Sequence, residues 1–277
     1  MPKMQKDFGE ELERKEIEEE INNTEINLAD ENGNEEFEMI CGYTDEDGVV
    51  HKSFTLREIN GKDEEAINKG EVKKNTSKVV TVLLTRCVTS IGTLTPKTVG
   101  VKKWEEIIKN LYVGDQDYML LQLRKISVGS EIELGHECPH CKQKLRTVVD
   151  IDELEIKPFS GEHKIEFTLP RGYKDKKGVT HKEGVMRLPT GLDREILTPI
   201  VKNNTAKATT VMLTRVCKFN DGLPVTDDVI SELCLKDRNY LGNLLDEHNF
   251  GVKLEVEVTC DSCGETFTGN FNAVNFL

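Results

Sequence analysis

Two Cys-x-x-Cys pairs are the residues in this sequence best suited to chemistry. Cys138 and Cys141 stand in GHECPHCKQ, and Cys260 and Cys263 stand in EVTCDSCGE. A turn that carries such a pair between two strands holds both sulfurs on the same side. Two thiolates are half of the four ligands that structural zinc prefers. The four cysteines are therefore candidate zinc ligands.

The rest of the composition favours a reducing, intracellular setting for these thiols. No apolar run approaches the roughly 18 residues of a membrane span, and the first residues lack the apolar core of a signal peptide. We therefore expect a soluble intracellular protein with no membrane partner and no disulfides. Apolar neighbours predict core positions for the other four cysteines, which are Cys41, Cys87, Cys217 and Cys234.

Negative charge is concentrated at the amino-terminal end of the chain. Residues 1–36 contain 4 Lys or Arg and 13 Asp or Glu, so they carry −9 of the formal charge of −13. We predict a flexible or helical acidic arm, with an apolar face that would suit a partner. The residues of that face are Met4, Phe8, Leu12, Ile17 and Ile21. Neither the arm nor the remainder offers the surplus of Lys and Arg that nucleic-acid binding requires.

The sequence contains an internal repeat. The segment GYTDEDGVVHKSFTLREINGKDEE, from Gly42, matches GYKDKKGVTHKEGVMRLPTGLDRE, from Gly172, at an offset of 130 residues. NTSKVVTVLLTR then matches NTAKATTVMLTR at an offset of 129, and the two cysteine pairs match at an offset of 122. The repeat predicts two tandem copies of one module, residues 37–158 and 162–277, joined through EIKPFSGE.

Each copy is predicted to have an α+β fold. Alternation on both sides of TDEDG predicts a β-hairpin, and three helices are predicted after it. They are NTSKVVTVLLTRCVTSIG, VKKWEEIIKNLYV and GDQDYMLLQLRKISVG, the last with an Asp cap and with Gly129 at its end. The β-branched residues of the first segment leave a strand as the alternative there. EIELGHECPHCKQKLRTVVDIDEL predicts a second hairpin with the cysteine turn at its tip, a zinc knuckle.

One knuckle supplies only two ligands, so another group must complete the site. His136 and His140 flank the first pair, but Val258 and Ser262 stand in their places in the second copy. Because both copies keep only the cysteines, we predict one structural zinc per chain, held by all four thiolates between the copies. Such a closed shell leaves no position for water or substrate. Separate or intermolecular sites and metal-free thiols are the alternatives.

The motif content of the sequence does not favour an enzyme. The sequence lacks GxSxG, GxxxxGK[ST], HExxH and a GxGxxG after a strand. His51 and His181 match in the repeat without a repeated Ser or Cys beside them, which favours structural roles. The acidic turn DEDG matches DKKG, which disfavours calcium. Capping of predicted helix ends would explain the other matched polar pairs, which are Asp63 with Asp193, Glu65 with Glu195, Arg86 with Arg215 and Asp115 with Asp237.

Several motifs of the repeat resemble those of one known family. They are RLPTGLDREIL, LREINGKDEEAI and DQDYMLLQLRKISVGSEIELGHECPHC, with an echo of the last near Cys260. The family is that of the baseplate-hub assembly and tail-assembly chaperone proteins of contractile-tailed, T-even-type bacteriophages. The resemblance covers most of residues 37–277. The acidic arm and the second knuckle, CDSC without proline, depart from the family pattern.

This resemblance implies a non-enzymatic virion-assembly protein that binds other phage tail or baseplate proteins. It implies action in the cytoplasm of the infected bacterium, and it leaves open both retention in the finished virion and oligomerisation. From the family only the cysteine ligands carry over to this chain. The alternative function is a zinc-ribbon adaptor in transcription or nucleic-acid handling. That alternative requires a basic face near the knuckles, and no base lies within CDSCGETFTGN.

Overall fold

The computed structural model describes residues 34–271 and confirms the predicted α+β class. The acidic arm predicted for residues 1–36 lies almost entirely outside the described residues, so its form stays a prediction. Between residues 34 and 271, every helix is too short or too polar to cross a lipid bilayer.

The first half of the structure, residues 35–150, combines a three-stranded antiparallel sheet, a group of helices and a long hairpin. Its strands are β1 (Glu35–Thr44), β2 (Val50–Leu56), β3 (Val88–Ile91), β4 (Glu131–Glu137) and β5 (Lys144–Asp150). Its helices are α1 (Gly61–Ile67), α2 (Gly70–Lys74), α3 (Thr76–Cys87), α4 (Pro96–Val99), α5 (Val101–Asn110) and α6 (Val113–Val128). Strands β1, β2 and β3 form the sheet in that order, and β4 pairs with β5.

A 3₁₀ turn (Ile151–Glu153) and strand β6 (Ile156–Lys157) lead into the second half, residues 165–271. Its strands are β7 (Ile165–Lys174), β8 (Thr180–Met186), β9 (Cys217–Phe219), β10 (Gly251–Val252), β11 (Glu255–Thr259) and β12 (Thr266–Asn270). Its helices are α7 (Gly191–Val201), α8 (Thr205–Val216), α9 (Asp227–Glu232) and α10 (Leu235–His248). Strands β7, β8 and β9 form a sheet, β11 pairs with β12, and β10 pairs with β6 from the connecting segment.

The predicted hairpin around the DEDG turn is confirmed, and the DKKG turn has the same register. Tyr43 lies opposite His51, and Tyr173 lies opposite His181. In both hairpins the first strand bulges just before the tyrosine. Gly42 stands in one bulge at φ 99°, where a Cβ would lie 2.9 Å from the carbonyl oxygen of His51. A bulge this close to its partner strand requires glycine.

One helix prediction extended too far. The segment NTSKVVTVLLTRCVTSIG was predicted to be helical throughout, but α3 ends at Cys87 and Val88–Ile91 is the strand β3. Strand β3 pairs with β2, placing Ile91 opposite Phe54. The apolar residues recur every four positions, at Val79, Leu83, Cys87 and Ile91, so the helical spacing continues into the strand. Pairing with the central strand β2 decides between helix and strand for such β-branched residues.

The prediction that Asp115 and Asp237 cap their own helices is wrong. The N-cap of α6 is Tyr112, and the carboxylate of Asp115 accepts bonds from the backbone N–H of Cys41 and Gly42 at 3.0 and 3.1 Å. Asp237 in α10 accepts equivalent bonds from Arg171 and Gly172 at 2.8 and 2.9 Å. Burial raises the pKa of Asp115, whereas the two N–H donors act in the opposite direction. Each aspartate therefore fastens a helix to the bulged strand of its sheet.

Asp63 and Asp193 do cap helices, as predicted, and each also binds two arginines. The backbone N–H of Asn60 donates to Asp63 at 3.0 Å, and that of Thr190 donates to Asp193 at 2.9 Å. Both carboxylates are fully buried. Arg57 and Arg86 bind Asp63, and Arg187 and Arg215 bind Asp193. The arginine donors compensate the charge that burial would otherwise disfavour.

The matched residues Glu65 and Glu195 have different environments. Glu65 is exposed on α1, whereas Glu195 is buried and its carboxylate accepts a hydrogen bond from the Thr81 hydroxyl of α3. Beside it, the amide of Asn75 donates to the Glu195 carbonyl at 2.9 Å. Capping explains neither side chain, so that prediction is corrected. Instead, Glu195 belongs to a direct contact between helix α3 of the first half and helix α7 of the second.

Each half has its own apolar core, and each core takes in side chains from the other half. Trp104 and Phe54 are fully buried in the first core, and Phe167 and Phe219 are buried in the second. The first core also contacts residues of the second half, which are Val252, Leu254, Val256 and Phe271. The second core includes Cys41 from strand β1. The two halves are consequently packed against each other over both cores.

The predictions for isolated cysteines are confirmed except at one position. Cys41, Cys87 and Cys217 are buried, and burial raises the pKa of each thiol to about 12. Cys234 is exposed, so its predicted place in the core is wrong. It is the N-cap of α10, the position at which that helix begins on the protein surface.

Candidate metal centre

The two cysteine turns have the same backbone geometry. Each closes a regular hairpin, β4–β5 in the first half and β11–β12 in the second. The N–H of Cys138 donates to the Gln143 carbonyl, and the N–H of Cys260 donates to the Glu265 carbonyl, both at 2.9 Å. Lys142, at φ 63°, and Gly264, at φ 74°, take the left-handed conformation at the same step of the turn. The two predicted cysteine hairpins therefore form.

The fold brings the tips of these two hairpins together. Cys138 Sγ lies 3.7 Å from Cys263 Sγ, and Cys141 Sγ lies 3.6 Å from Cys260 Sγ. All four sulfurs lie within 4.8 Å of one another. Sulfurs placed about 2.3 Å from a tetrahedral ion would be about 3.8 Å apart, whereas a disulfide requires about 2 Å. The spacing is compatible with a metal site formed by all four sulfurs.

The electrostatics of the cluster also favour a cation at its centre. Backbone N–H groups of Cys141 and His140 lower the pKa of the Cys138 thiol to about 6. At Cys263 the N–H of Glu265 acts in the same direction, but burial and the neighbouring sulfurs raise the pKa to about 12. One thiolate therefore forms readily, and its charge opposes ionisation of the next. A divalent ion removes that conflict, since each thiolate then faces the cation.

Neither histidine near the first pair belongs to the four-sulfur cluster. His140 is exposed, and His136 is turned toward the facing hairpin, where its ring packs edge-on against Phe267 with centroids 6.3 Å apart. A Cβ on Gly269 would lie 2.4 Å from the His136 ring. This glycine allows the two hairpins to approach, a role that was not predicted. Glycine inside a strand is a recognised signal of close approach.

The other matched polar groups have structural partners. Asp45 accepts bonds from the backbone N–H of Asp47 and Val49 at 3.0 and 2.8 Å, and its second oxygen lies 2.8 Å from His51 Nε2. Asp175 makes the same backbone bonds in the DKKG turn. These aspartates build the turns, as expected for a motif that tolerates lysine at the neighbouring positions.

Comparison with known proteins identifies the family. Residues 44–266 match the family model described as T4 bacteriophage base plate protein. The chain belongs to that family. The matched range includes strands β2 and β3 of the first sheet, the whole second sheet, both cysteine pairs and the contact between the halves, so the resemblance predicted from short motifs is confirmed. No curated protein and no solved structure gives a significant match to this baseplate protein.

Proposed function

We propose that this baseplate-family protein is a non-enzymatic assembly factor of the phage tail baseplate hub, which binds other tail components and is stabilised by one structural zinc. The observation that carries the proposal is the four-sulfur cluster, which lies within a family match that covers both halves. Assembly would take place in the cytoplasm of the infected bacterium, and the protein is a candidate for retention in the virion. Its binding partners are other proteins of the tail or baseplate.

The ligand set supports zinc in a structural role. Cysteine thiolates suit zinc, and four of them satisfy its preferred coordination without water. Cys138 and Cys260 are fully buried, which protects one side of the cluster from solvent. A fully coordinated ion has no position at which to bind a substrate. The zinc would therefore fasten the two hairpin tips, and the resulting rigid pair would present the adjoining surfaces to partners.

The same geometry supports a duplicated module as the origin of the site. The two sheets share hairpin register and bulge position, and Asp115 and Asp237 make equivalent bonds to them. We assign residues 37–158 and 162–277 to the two copies, with 1–36 as a separate acidic arm. On this assignment each copy contributes one knuckle, and the zinc lies between the copies. The short β6–β10 pairing adds a second link, from the end of the first copy to the second copy.

Metal analysis tests the zinc directly. Native mass spectrometry of the full chain, together with elemental analysis, should give one zinc per chain, and Cys260→Ser should abolish binding. Cys234→Ser is the matched control, because Cys234 is exposed and lies outside the cluster. Two zinc ions per monomer, or retention of zinc by Cys260→Ser, would contradict the shared site.

Phage genetics tests the assembly role. A nonsense mutation in the gene should block formation of complete baseplates, and infected cells should accumulate unassembled tail proteins. Supply of the wild-type chain from a plasmid should restore infectious particles, whereas Cys260→Ser should restore few. Normal tails in the nonsense mutant would refute the proposal. Tight, salt-sensitive binding of the purified protein to DNA would instead favour a nucleic-acid adaptor.

A further inference from the structure

A cleft opens in the second half of the structure, next to its three-stranded sheet. It has a volume of about 490 Å³ and lies between strand β8, the end of α8, strand β9 and the loop that follows β9. Its apolar lining includes Val216, Leu223, Pro224 and Val225. We refer to this feature as the second-half cleft.

The lining of the second-half cleft contains several cations. Its lining includes Lys164, Arg187, Arg215 and Lys218 and contains no acidic side chain. Both arginines bind the buried carboxylate of Asp193, at 2.6 Å in each case. Both lysines are exposed and make no ion pair with any described residue. Within the lining, four positive charges against one buried carboxylate leave a surplus of positive charge beside an apolar wall. Of the acids next to the lining, Asp227 pairs with Lys207 and Asp221 pairs with His181.

In the first half, a tryptophan lies beside the threonine that matches a residue of the cleft lining. There the indole N–H of the fully buried Trp104 donates to the carbonyl of Thr85 at 3.2 Å. Thr85 matches Thr214 in the repeat, and Thr214 lines the second-half cleft. The second half has no tryptophan with which to fill this place. The comparison indicates that the position suits a large apolar side chain.

We propose that the second-half cleft binds the acidic arm of the same chain, within residues 1–33. This segment contains 11 Asp or Glu and 4 Lys or Arg, so its charge is opposite to that of the cleft. Its apolar face, which includes Phe8, supplies the kind of side chain that Trp104 provides in the first half. Acidic residues of the arm would form ion pairs with the two lysines, and its aromatic side chain would pack against the apolar lining.

The arm is long compared with the size of the fold. The 12 residues from 22 to 33 can span about 40 Å when extended, against a radius of gyration of about 18 Å expected for a fold of this size. A tethered segment also experiences an effective concentration on the order of millimolar. Binding to the cleft of its own chain is therefore favoured over binding to another copy at micromolar protein concentration.

Carbodiimide cross-linking of the full-length protein tests the proposal, since this reagent joins an amine to a carboxylate in contact with it. An equal mixture of unlabelled and ¹⁵N-labelled chains separates links within a chain from links between chains. We expect Lys164 and Lys218 to form links with residues 1–33 that are intrachain and suppressed by high salt. Lys97, which is exposed in the first half, is the reference lysine. Equal yields at Lys97, no links at the cleft, or mixed-isotope links only would overturn the proposal.

The apolar anchor is tested separately. Phe8→Ala should reduce the cleft cross-links by about tenfold, as expected when burial of an aromatic ring is lost. Gln5→Ala is the matched control outside the apolar face and should leave the yield unchanged. Phe8→Ala should also speed amide hydrogen exchange in residues 222–225 without changing the melting temperature. If cross-linking and exchange are the same in Phe8→Ala as in the wild type, the arm does not occupy the cleft.

Discussion

The two halves of this baseplate protein contain the same buried network, an aspartate held by two arginines, but differ in how it is covered. In the first half the side chains of Arg57 and Arg86 are 8% and 14% exposed. In the second half those of Arg187 and Arg215 are 37% and 29% exposed. The first network is sealed inside its half, whereas the second forms part of the wall of a cationic cleft.

This difference shows how two similar arrangements can serve different purposes. An ion network inside a closed core contributes to the architecture and is hard to reach from outside. When the arginines of such a network reach solvent, they become available to a ligand. In this protein the arginines of the first half are the more enclosed, and those of the second half line the cleft.

Loss of the metal should have the largest effect on stability, because zinc would join the two halves at their hairpin tips. We expect chelation, or Cys260→Ser, to lower the free energy of unfolding by about 4 kcal/mol or more, since a structural zinc contributes directly to folding. Thermal unfolding with and without chelator measures this. Cys234→Ser should behave like the wild type. An unchanged melting temperature after complete metal removal would show that the packed cores hold the halves together without zinc.

Removal of the buried carboxylate should destabilise the protein more in the first network than in the second. Asp63→Asn should cost about 3–5 kcal/mol, because it leaves two arginines in a closed environment with no counter-charge. Asp193→Asn should cost less, about 1–3 kcal/mol, since Arg187 and Arg215 can reach solvent. Urea unfolding gives both values. Asp152→Asn, which breaks an exposed pair with Lys125, is the control and should change stability by less than about 1 kcal/mol. Equal losses of unfolding free energy in Asp63→Asn and Asp193→Asn would show that the two networks do not differ in their access to solvent.

Acid should weaken the second-half network over a defined pH range. The buried Asp193 is penalised by desolvation, but Arg187, Thr190 and Arg215 bind its charged form and hold its pKa at about 2, below the ordinary value of 3.8. A lowered pKa stabilises the fold above the unfolded value, and that contribution disappears as pH falls from about 4 to 2. It amounts to about 2 kcal/mol. Unfolding free energies at pH 5 and pH 2 should therefore differ more in the wild type than in Asp193→Asn.

The sequence predicted those features of the fold that depend on local patterns or on the repeat. Turn residues and alternation located both hairpin types, and matching of the two copies selected the four cysteines that the structure brings together. The zinc itself and the duplicated module stay predictions. Asp115 was misassigned because its backbone partners, Cys41 and Gly42, are more than 70 residues away. A cap and a long-range tether require the same residue type near a helix start, so local sequence does not distinguish them.

Other features were missed for related reasons. The end of α3 depends on pairing between strands, which residue spacing alone does not reveal. The second-half cleft was missed because its lining combines residues from two strands, a helix end and a loop, which the sequence alone does not bring together. Gly269 was missed because a glycine in a short strand gives no indication of its partner, here the ring of His136 in another hairpin.

The smallest expected effect concerns the matched histidines, which differ in one neighbour. Beside His51 stands Gly92, where a Cβ would lie 2.4 Å from Nδ1, so no side chain fits. Beside His181 stands Asp221, whose carboxylate lies 2.6 Å from Nδ1 and raises the pKa of the imidazole above 6.5. A raised pKa stabilises the fold below the unfolded value, and this contribution is lost as pH rises through the folded pKa.

Asp221→Gly would give the second half the neighbour that the first half has. We expect the pKa of His181 to fall, and the small stabilisation near neutral pH to fall with it. Titration of the imidazole signals by NMR measures the shift, and the signals of His51 serve as an internal reference in the same sample. Because Asp175 Oδ2 lies 3.6 Å from His181 Nε2, a partial shift would remain from that carboxylate. If the pKa of His181 did not fall in Asp221→Gly, the difference between Gly92 and Asp221 would have no electrostatic consequence.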